Sequence, residues 1–199
     1  MADETPAGAP ARREMRTEDG VVVVDYDPTW PGRFRQLAEP MRAALGETAR
    51  RIDHIGSTSV PGLAAKPVID IQIAVAAFEP LDAFRRPLES LGYVFRAANP
   101  ERTKRYFREP PGERRVHIHV RLLGHWNEQF ALLFRDYLRT SPETAARYAA
   151  LKRALAARYP RPEDREDYTE AKDPFIWETM YAANRWAQET GWVPGPSDA

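Results

Sequence analysis

The sequence predicts an α+β fold, a mixed or antiparallel sheet with flanking helices and a helical C-terminal part. Three observations predict it. Val68 to Val75 is rich in large aliphatics and leaves Asp70, Gln72 and Ala74 on the opposite parity, the period of a strand with one apolar face. Short β-branched and aromatic runs bounded by Gly and Pro recur from Val21 to Leu122. From Asn127 onward the apolar residues switch to helical spacing. At 199 residues the chain is long enough for one well-buried domain.

Taken in order, residues 1–19 are rich in Ala, Pro, Glu and Arg, lack periodicity and are expected to be disordered. A single domain is expected over 20–190, with an α+β core over 21–125 and helices over 126–190. Val21-Val22-Val23-Val24 reads as a short strand. Trp30, Phe34, Leu37, Met41 and Leu45 form one helix face that ends at Gly46. Ala49 to Ile55 is the next strand, leading into a turn at Gly56. Pro80 to Leu91 reads as a helix closed by Gly92, and Tyr93 to Phe95, Lys104 to Arg108 and Arg114 to Leu122 as strands. Pro110-Pro111-Gly112 forms a hairpin connection between the last two. Phe130, Leu133, Phe134, Tyr137 and Leu138 share a helix face; Ser141-Pro142 starts a helix that runs to Pro160, and Asp173-Pro174 starts another that ends at Gly191. Residues 191–199, rich in Pro, Gly and Ser, are expected to be a loose tail.

Composition narrows the chemistry. Twenty-nine basic residues balance 29 acidic ones, so overall charge points to neither nucleic acid nor a membrane surface. With no cysteine, disulfides, zinc-thiolate sites and thiol catalysis are excluded, and the four histidines are the nitrogen ligands to weigh. No apolar run reaches the roughly 18 residues of a membrane span, and the N-terminus lacks the order of a signal peptide. A cytoplasmic location is the expectation.

Four constellations carry chemistry. Gly56-Ser57-Thr58-Ser59 offers close backbone approach, N–H groups and three hydroxyls to an anion, or is an ordinary Gly/Ser turn. Asp70 with Gln72 shares a strand face that looks either at solvent or at a metal. His117 and His119, two apart on a strand, suit chelation of one transition metal, or they hydrogen-bond neighbours. With Asp70 they would make two nitrogens and one carboxylate, suited to Mn, Zn or Fe more than Mg. The basic stretch from Arg102 to Arg121 is mostly a solvated face from which one or two groups clamp a polyphosphate; alternation places Lys104 with Tyr106 and Arg105 with Phe107. Arg135, Asp136, Arg139, Lys152, Tyr168 and Lys172 sit beside apolar helix stripes, where surface ion pairing is the simpler reading.

The run His54-Ile55-Gly56-Ser57-Thr58-Ser59-Val60-Pro61-Gly62-Leu63-Ala64-Ala65-Lys66-Pro67-Val68-Ile69-Asp70 resembles the signature of the GrpB family. The resemblance continues in Val116-His117-Ile118-His119-Val120, in Phe134-Arg135-Asp136-Tyr137-Leu138-Arg139, in Tyr148 with Leu151-Lys152, and in Tyr168 with Lys172, and covers about residues 21–185. It implies a nucleotidyltransferase-like fold, in which Gly-Ser and a first acid precede a second and a third acid that together hold two Mg²⁺. Here Gly56-Ser57 and Asp70 match, Gln72 stands at the second acid, and His117 or His119 stands at the third. On that reading Asp70, His117 and His119 are catalytic, with a divalent cation, Mg or Mn, on Asp70, Gln72 and His119. A nucleoside triphosphate lies on Gly56, Ser57, Thr58, Ser59, Lys66, Lys104, Arg105 and Lys172. The function implied is transfer of a nucleotidyl or phosphoryl-type group to a small molecule, with nucleic acid not expected as a partner. The departures keep two alternatives open: a non-catalytic nucleotide or small-anion binding domain, and divergent histidine-dependent chemistry in the same cleft. Oligomeric state is left open by the sequence.

Overall fold

The computed structural model describes residues 20–199, so the expected disordered segment 1–19 lies outside the described residues. Its frame is a five-stranded sheet of β1 (Arg51–Ile55), β2 (Ile69–Val75), β3 (Val94–Phe95), β4 (Arg105–Arg108) and β5 (Val116–Leu122). The strand order is β1-β2-β5-β4-β3. Only the central pair β2 and β5 is parallel, the other three pairings being antiparallel, so the sheet is mixed. The helices are α1 (Trp30–Leu45), α2 (Asp82–Ser90), α3 (Trp126–Thr140), α4 (Pro142–Arg158), α5 (Arg165–Glu170) and α6 (Asp173–Thr190).

Alternation assigns the two faces of the sheet. Ile69, Ile71 and Ile73 of β2, Ile118 and Val120 of β5, and Phe107 of β4 point to one side, where Phe34, Ala38 and Met41 of α1 and Phe84 and Leu88 of α2 cover them. Each such side chain contributes about 1.5–3 kcal/mol by leaving water, so this layer is the main source of stability. On the other side the C-terminal helices pack against the connection between β1 and β2. Val60, Leu63 and Ala64 meet Leu138 of α3 and Tyr148 and Ala149 of α4. Leu133 of α3 meets Met180 and Ala183 of α6. The helices thus arch over the polar face of β2 and β5.

The structure departs from the sequence expectation in four places. Of the valines 21–24, only Val24 pairs, in a single bridge with Ala65, while Val21 packs with Leu155 and Tyr168. The segment is used for packing, not as a strand. Between α4 and α6 lies α5, six residues too short to show a periodic stripe. Ser141 stands at the N-cap of α4, but its Oγ accepts no helix N–H and instead donates to Thr144 Oγ1 at 2.7 Å.

The fourth departure is the tail over 191–199, which is not loose. It runs along the free edge of β1. Ser197 Oγ accepts from Ile52 N at 2.8 Å, Ala199 N donates to Ile52 O at 3.1 Å, and Asp198 accepts from His54 N at 2.9 Å and from Arg135 at 2.8 Å. An exposed strand edge needs partners for its N–H and C=O groups, and short polar residues supply them here.

Candidate functional site

The site begins where β1 ends. Gly56 has φ +71°, and a Cβ on it would lie 2.6 Å from Asp70 Oδ2. Both conformation and close approach therefore require glycine. Residues Ser57–Ser59 make one 3-10 turn. Ser59 Oγ donates to Gly56 O at 2.6 Å and Thr58 Oγ1 to Val68 O at 3.1 Å, while His54 Nε2 lies 3.0 Å from Thr58 Oγ1. From α3, Arg139 donates to Ser59 O at 2.9 Å and Arg135 to His54 O at 3.1 Å. The hydroxyls of Thr58 and Ser59 are thus spent on holding the turn. Ser57 lines the cavity beyond it, together with Tyr148.

The central strands bring the next three residues together. The parallel register sets Asp70 beside His117 and Gln72 beside His119. His117 Nδ1 lies 3.0 Å and His119 Nε2 3.5 Å from Asp70 Oδ1. Tyr106 of β4 packs against both imidazoles, with ring centroids 5.8 and 5.3 Å away. Burial works against the Asp70 carboxylate, but the hydrogen bond from His117 and the close approach of the His119 imidazole outweigh it and hold the group well below the usual carboxylate range. Burial also keeps the imidazoles neutral: His117 is pushed down, and His119 falls to about 4. Gln72 Nε2 donates to Glu128 O at 3.2 Å, while its Oε1 is buried without a partner among the described residues.

A cavity of about 520 Å³ opens in front of these residues. One side carries Lys66, Lys152 and Lys172 with Tyr148 and Tyr168. Lys66 and Lys172 each place their ammonium 4.8 Å from the Tyr168 ring centre, and Lys152 sits 4.5 Å from that of Tyr148. Lys152, only 3% exposed, also donates to Ala64 O. Burial, reinforced by the neighbouring Lys172 charge, lowers Lys66 to about 8 and Lys152 to about 7; burial lowers Lys172 as well. Three ammonium groups crowded out of water favour an anion among them. The mouth carries Trp126, Phe130 and Trp177. Both tryptophans stand edge-on to Phe130, at 5.6 and 5.7 Å, and are 61% and 51% exposed.

The residues expected at the site divide accordingly. Gly56, Ser57, Thr58, Lys66, Asp70, His117 and Lys172 line the cavity, and His119 stands beside Asp70. Arg105 does not come near: it shares the parity of buried Phe107, and its guanidinium lies 4.1 Å from the centre of the Phe78 ring. Lys104 lies outside the cavity lining, its ammonium 2.6 Å from Glu101. The sequence reading placed Lys152, Arg135 and Arg139 in surface ion pairs, whereas Lys152 is buried in the cavity wall and the two arginines tie down the Gly56 turn. For Lys152 the signal was phase: Tyr148, Lys152 and Leu155 fall on one buried stripe of α4.

Comparison with known proteins defines the family. The family model described as GrpB protein matches residues 20–182, and the chain belongs to that family. It is 43% identical over 162 residues to a UPF0157 protein of Pseudomonas aeruginosa, with 80% of this chain and 66% of that protein covered. It is 33% identical to a dephospho-CoA kinase of Mycolicibacterium paratuberculosis, with 87% of this chain but 48% of that protein covered. The chain thus spans about half to two thirds of these relatives. Among solved structures, GrpB from Enterococcus faecalis matches with a TM-score of 0.74 at 34% identity, covering 83% of this chain and 99% of that one. A looser likeness is to the Cid1 poly(U) polymerase with MgGTP bound, with a TM-score of 0.49 at 15% identity over 68% of this chain and 45% of that one.

Proposed function

We propose that the cavity binds a nucleoside triphosphate by its polyphosphate and passes a nucleotidyl or phosphoryl-type group to a small molecule. The observation that carries this reading is the convergence of Lys66, Lys152 and Lys172 with the Gly56-Ser57 turn on the cavity that holds Asp70. A chain of phosphates offers the charge density that three desolvated ammonium groups lack. The turn adds Ser57 to the cavity lining beside them.

In nucleotidyl transfer, an oxygen or nitrogen of the acceptor bonds to the α-phosphorus, the bond from that phosphorus to its bridging oxygen breaks, pyrophosphate leaves, and the acceptor's proton passes to solvent. This chain's residues supply the surroundings of that step. The lysines hold the leaving phosphates and stabilise their growing charge. Arg139, which donates to Ser59 O, fixes the turn beside them. Trp126, Phe130 and Trp177 offer flat apolar surface to the body of the bound molecule. The pair of Mg²⁺ ions that the fold resemblance implies does not fit the donors present. One carboxylate and two imidazoles stand where three carboxylates are needed, and Gln72 is a neutral carboxamide that adds no charge.

That deficit favours one other reading, binding of the nucleotide without turnover. Calorimetry with ATP, GTP and CTP, with and without added divalent metal, tests both. Binding of any of them that weakens at least about tenfold in Lys66→Met supports the site, and turnover of a labelled triphosphate then separates enzyme from binding domain. No binding under any metal condition contradicts the proposal.

A further inference from the structure

We infer that Asp70, His117 and His119 form a site for a single borderline transition-metal ion, such as Mn²⁺, Fe²⁺, Co²⁺ or Zn²⁺, and not for Mg²⁺. The inference concerns the same cavity as the proposed group transfer but rests on the donor set alone. Three atoms, one from each residue, lie within 4.8 Å of one another. The two measured separations, 3.0 Å from Asp70 Oδ1 to His117 Nδ1 and 3.5 Å to His119 Nε2, are informative. Ligands bonded at about 2.0–2.2 Å to one ion stand about 3.0–3.5 Å apart. The longer distance is poor for a hydrogen bond but ordinary for two ligands of one metal.

The fold makes this convergence obligatory. Strands β2 and β5 are parallel neighbours, and odd-numbered residues of β5 share the face of Asp70. The Tyr106 ring packed against both imidazoles limits their rotation. Both imidazoles face Asp70 Oδ1, while Oδ2 lies on the Gly56 side. A single carboxylate oxygen with two imidazoles is a donor set that transition metals take readily. Mg²⁺ prefers oxygen ligands and near-ideal octahedral geometry, and Asp70 supplies the one oxygen of this donor set. Three protein ligands leave coordination positions free, and Asp70 and His117 line the cavity, so an oxygen of the molecule bound there would complete the ion's shell.

The test uses the full chain stripped of metal with a chelator. Co²⁺ is titrated in and followed by its visible absorption and by calorimetry. Zn²⁺ and Mg²⁺ are then added in competition. The expected result is one equivalent of Co²⁺, displaced by stoichiometric Zn²⁺ but not by about a thousandfold excess of Mg²⁺. His117→Ala and His119→Ala should each weaken Co²⁺ binding at least about a hundredfold. His125→Gln, a change to an exposed histidine outside the cavity lining, should leave it unchanged. Because a variant could lose its fold, X-ray absorption of the zinc-loaded wild type provides a second measure, with two imidazoles expected in the first shell. Displacement of Co²⁺ by equimolar Mg²⁺, fewer than two imidazoles on the zinc, or full affinity in both histidine variants would each overturn the inference. If Co²⁺ fails to bind while nucleotide still does, the metal site falls and the group-transfer reading stands; the reverse pattern separates them the other way.

Discussion

The two faces of strands β2 and β5 are built from alternating residues of the same strands and do opposite work. On one face Ile69, Ile71, Ile73, Ile118 and Val120 are sealed under α1 and α2. On the other, Asp70, Gln72, His117 and His119 lie under the helical arch, and several of their polar atoms have no partner among the described residues. Gln72 Oε1, His117 Nε2 and His119 Nδ1 are buried and unpaired. Nearby Lys152 is an ammonium group kept almost wholly from water. Leaving buried polar groups unpaired costs about 1–3 kcal/mol each, so the second face is a stability cost that the first face offsets. The contrast locates stability on one side of the sheet and chemistry on the other.

Substitutions can break that contrast, beginning with the largest effect. Ile71→Ala, on the sealed face, should destabilise by about 2–5 kcal/mol in denaturant unfolding yet leave the ligand affinity of the folded fraction unchanged. Gly56→Ala sits at the hinge between faces. Its positive φ and the contact with Asp70 should cost about 2 kcal/mol or more and should weaken ligand binding too. Lys152→Met should do the reverse of Ile71→Ala, leaving the melting temperature equal or higher while lowering tripolyphosphate affinity about tenfold or more.

The lysine also has a pH signature. Its folded value, about 7, is below the ordinary 10.5. The unfolded chain therefore binds more protons than the folded one between those values, so stability should rise with pH across that window. Melting curves from pH 7 to about 10 should show the rise, and Lys152→Met should lessen it, with Lys66 and Lys172 supplying the remainder. The smallest effect belongs to Trp126→Ala. At 61% exposure its loss should change stability by no more than about 0.5 kcal/mol. It should weaken ATP about fivefold and leave tripolyphosphate untouched, the measure of an aromatic contact to the body of the ligand.

Much of the sealed face was legible in the sequence, because period-two alternation in β2 and β5 and period-3.6 stripes in α1 and α3 are forced by burial. The parity that put Asp70 on a polar face, and His117 with His119 on one face, was equally readable, since alternation is a local property of strands. That the two strands are parallel neighbours is a property of topology, and only the fold supplied it. Arg105 shows local reasoning left unused: its parity with Phe107 already placed it away from the site. Lys152 shows a misleading default, since a lysine beside an apolar stripe is usually solvated and here is packed under the arch. The tail over 191–199 misled because a Pro/Gly/Ser composition reports on intrinsic order, not on an edge strand nearby that needs partners.

The claim that the polar face is an anion cleft has one direct test. Tripolyphosphate is titrated calorimetrically into chelator-treated protein at about pH 6.5, where Lys66 and Lys152 can both carry charge. The account predicts one site with a Kd well below about 1 mM, weakened about tenfold or more by Lys152→Met and unchanged by Ile71→Ala. No heat at millimolar tripolyphosphate, or equal binding by wild type and Lys152→Met, would contradict it.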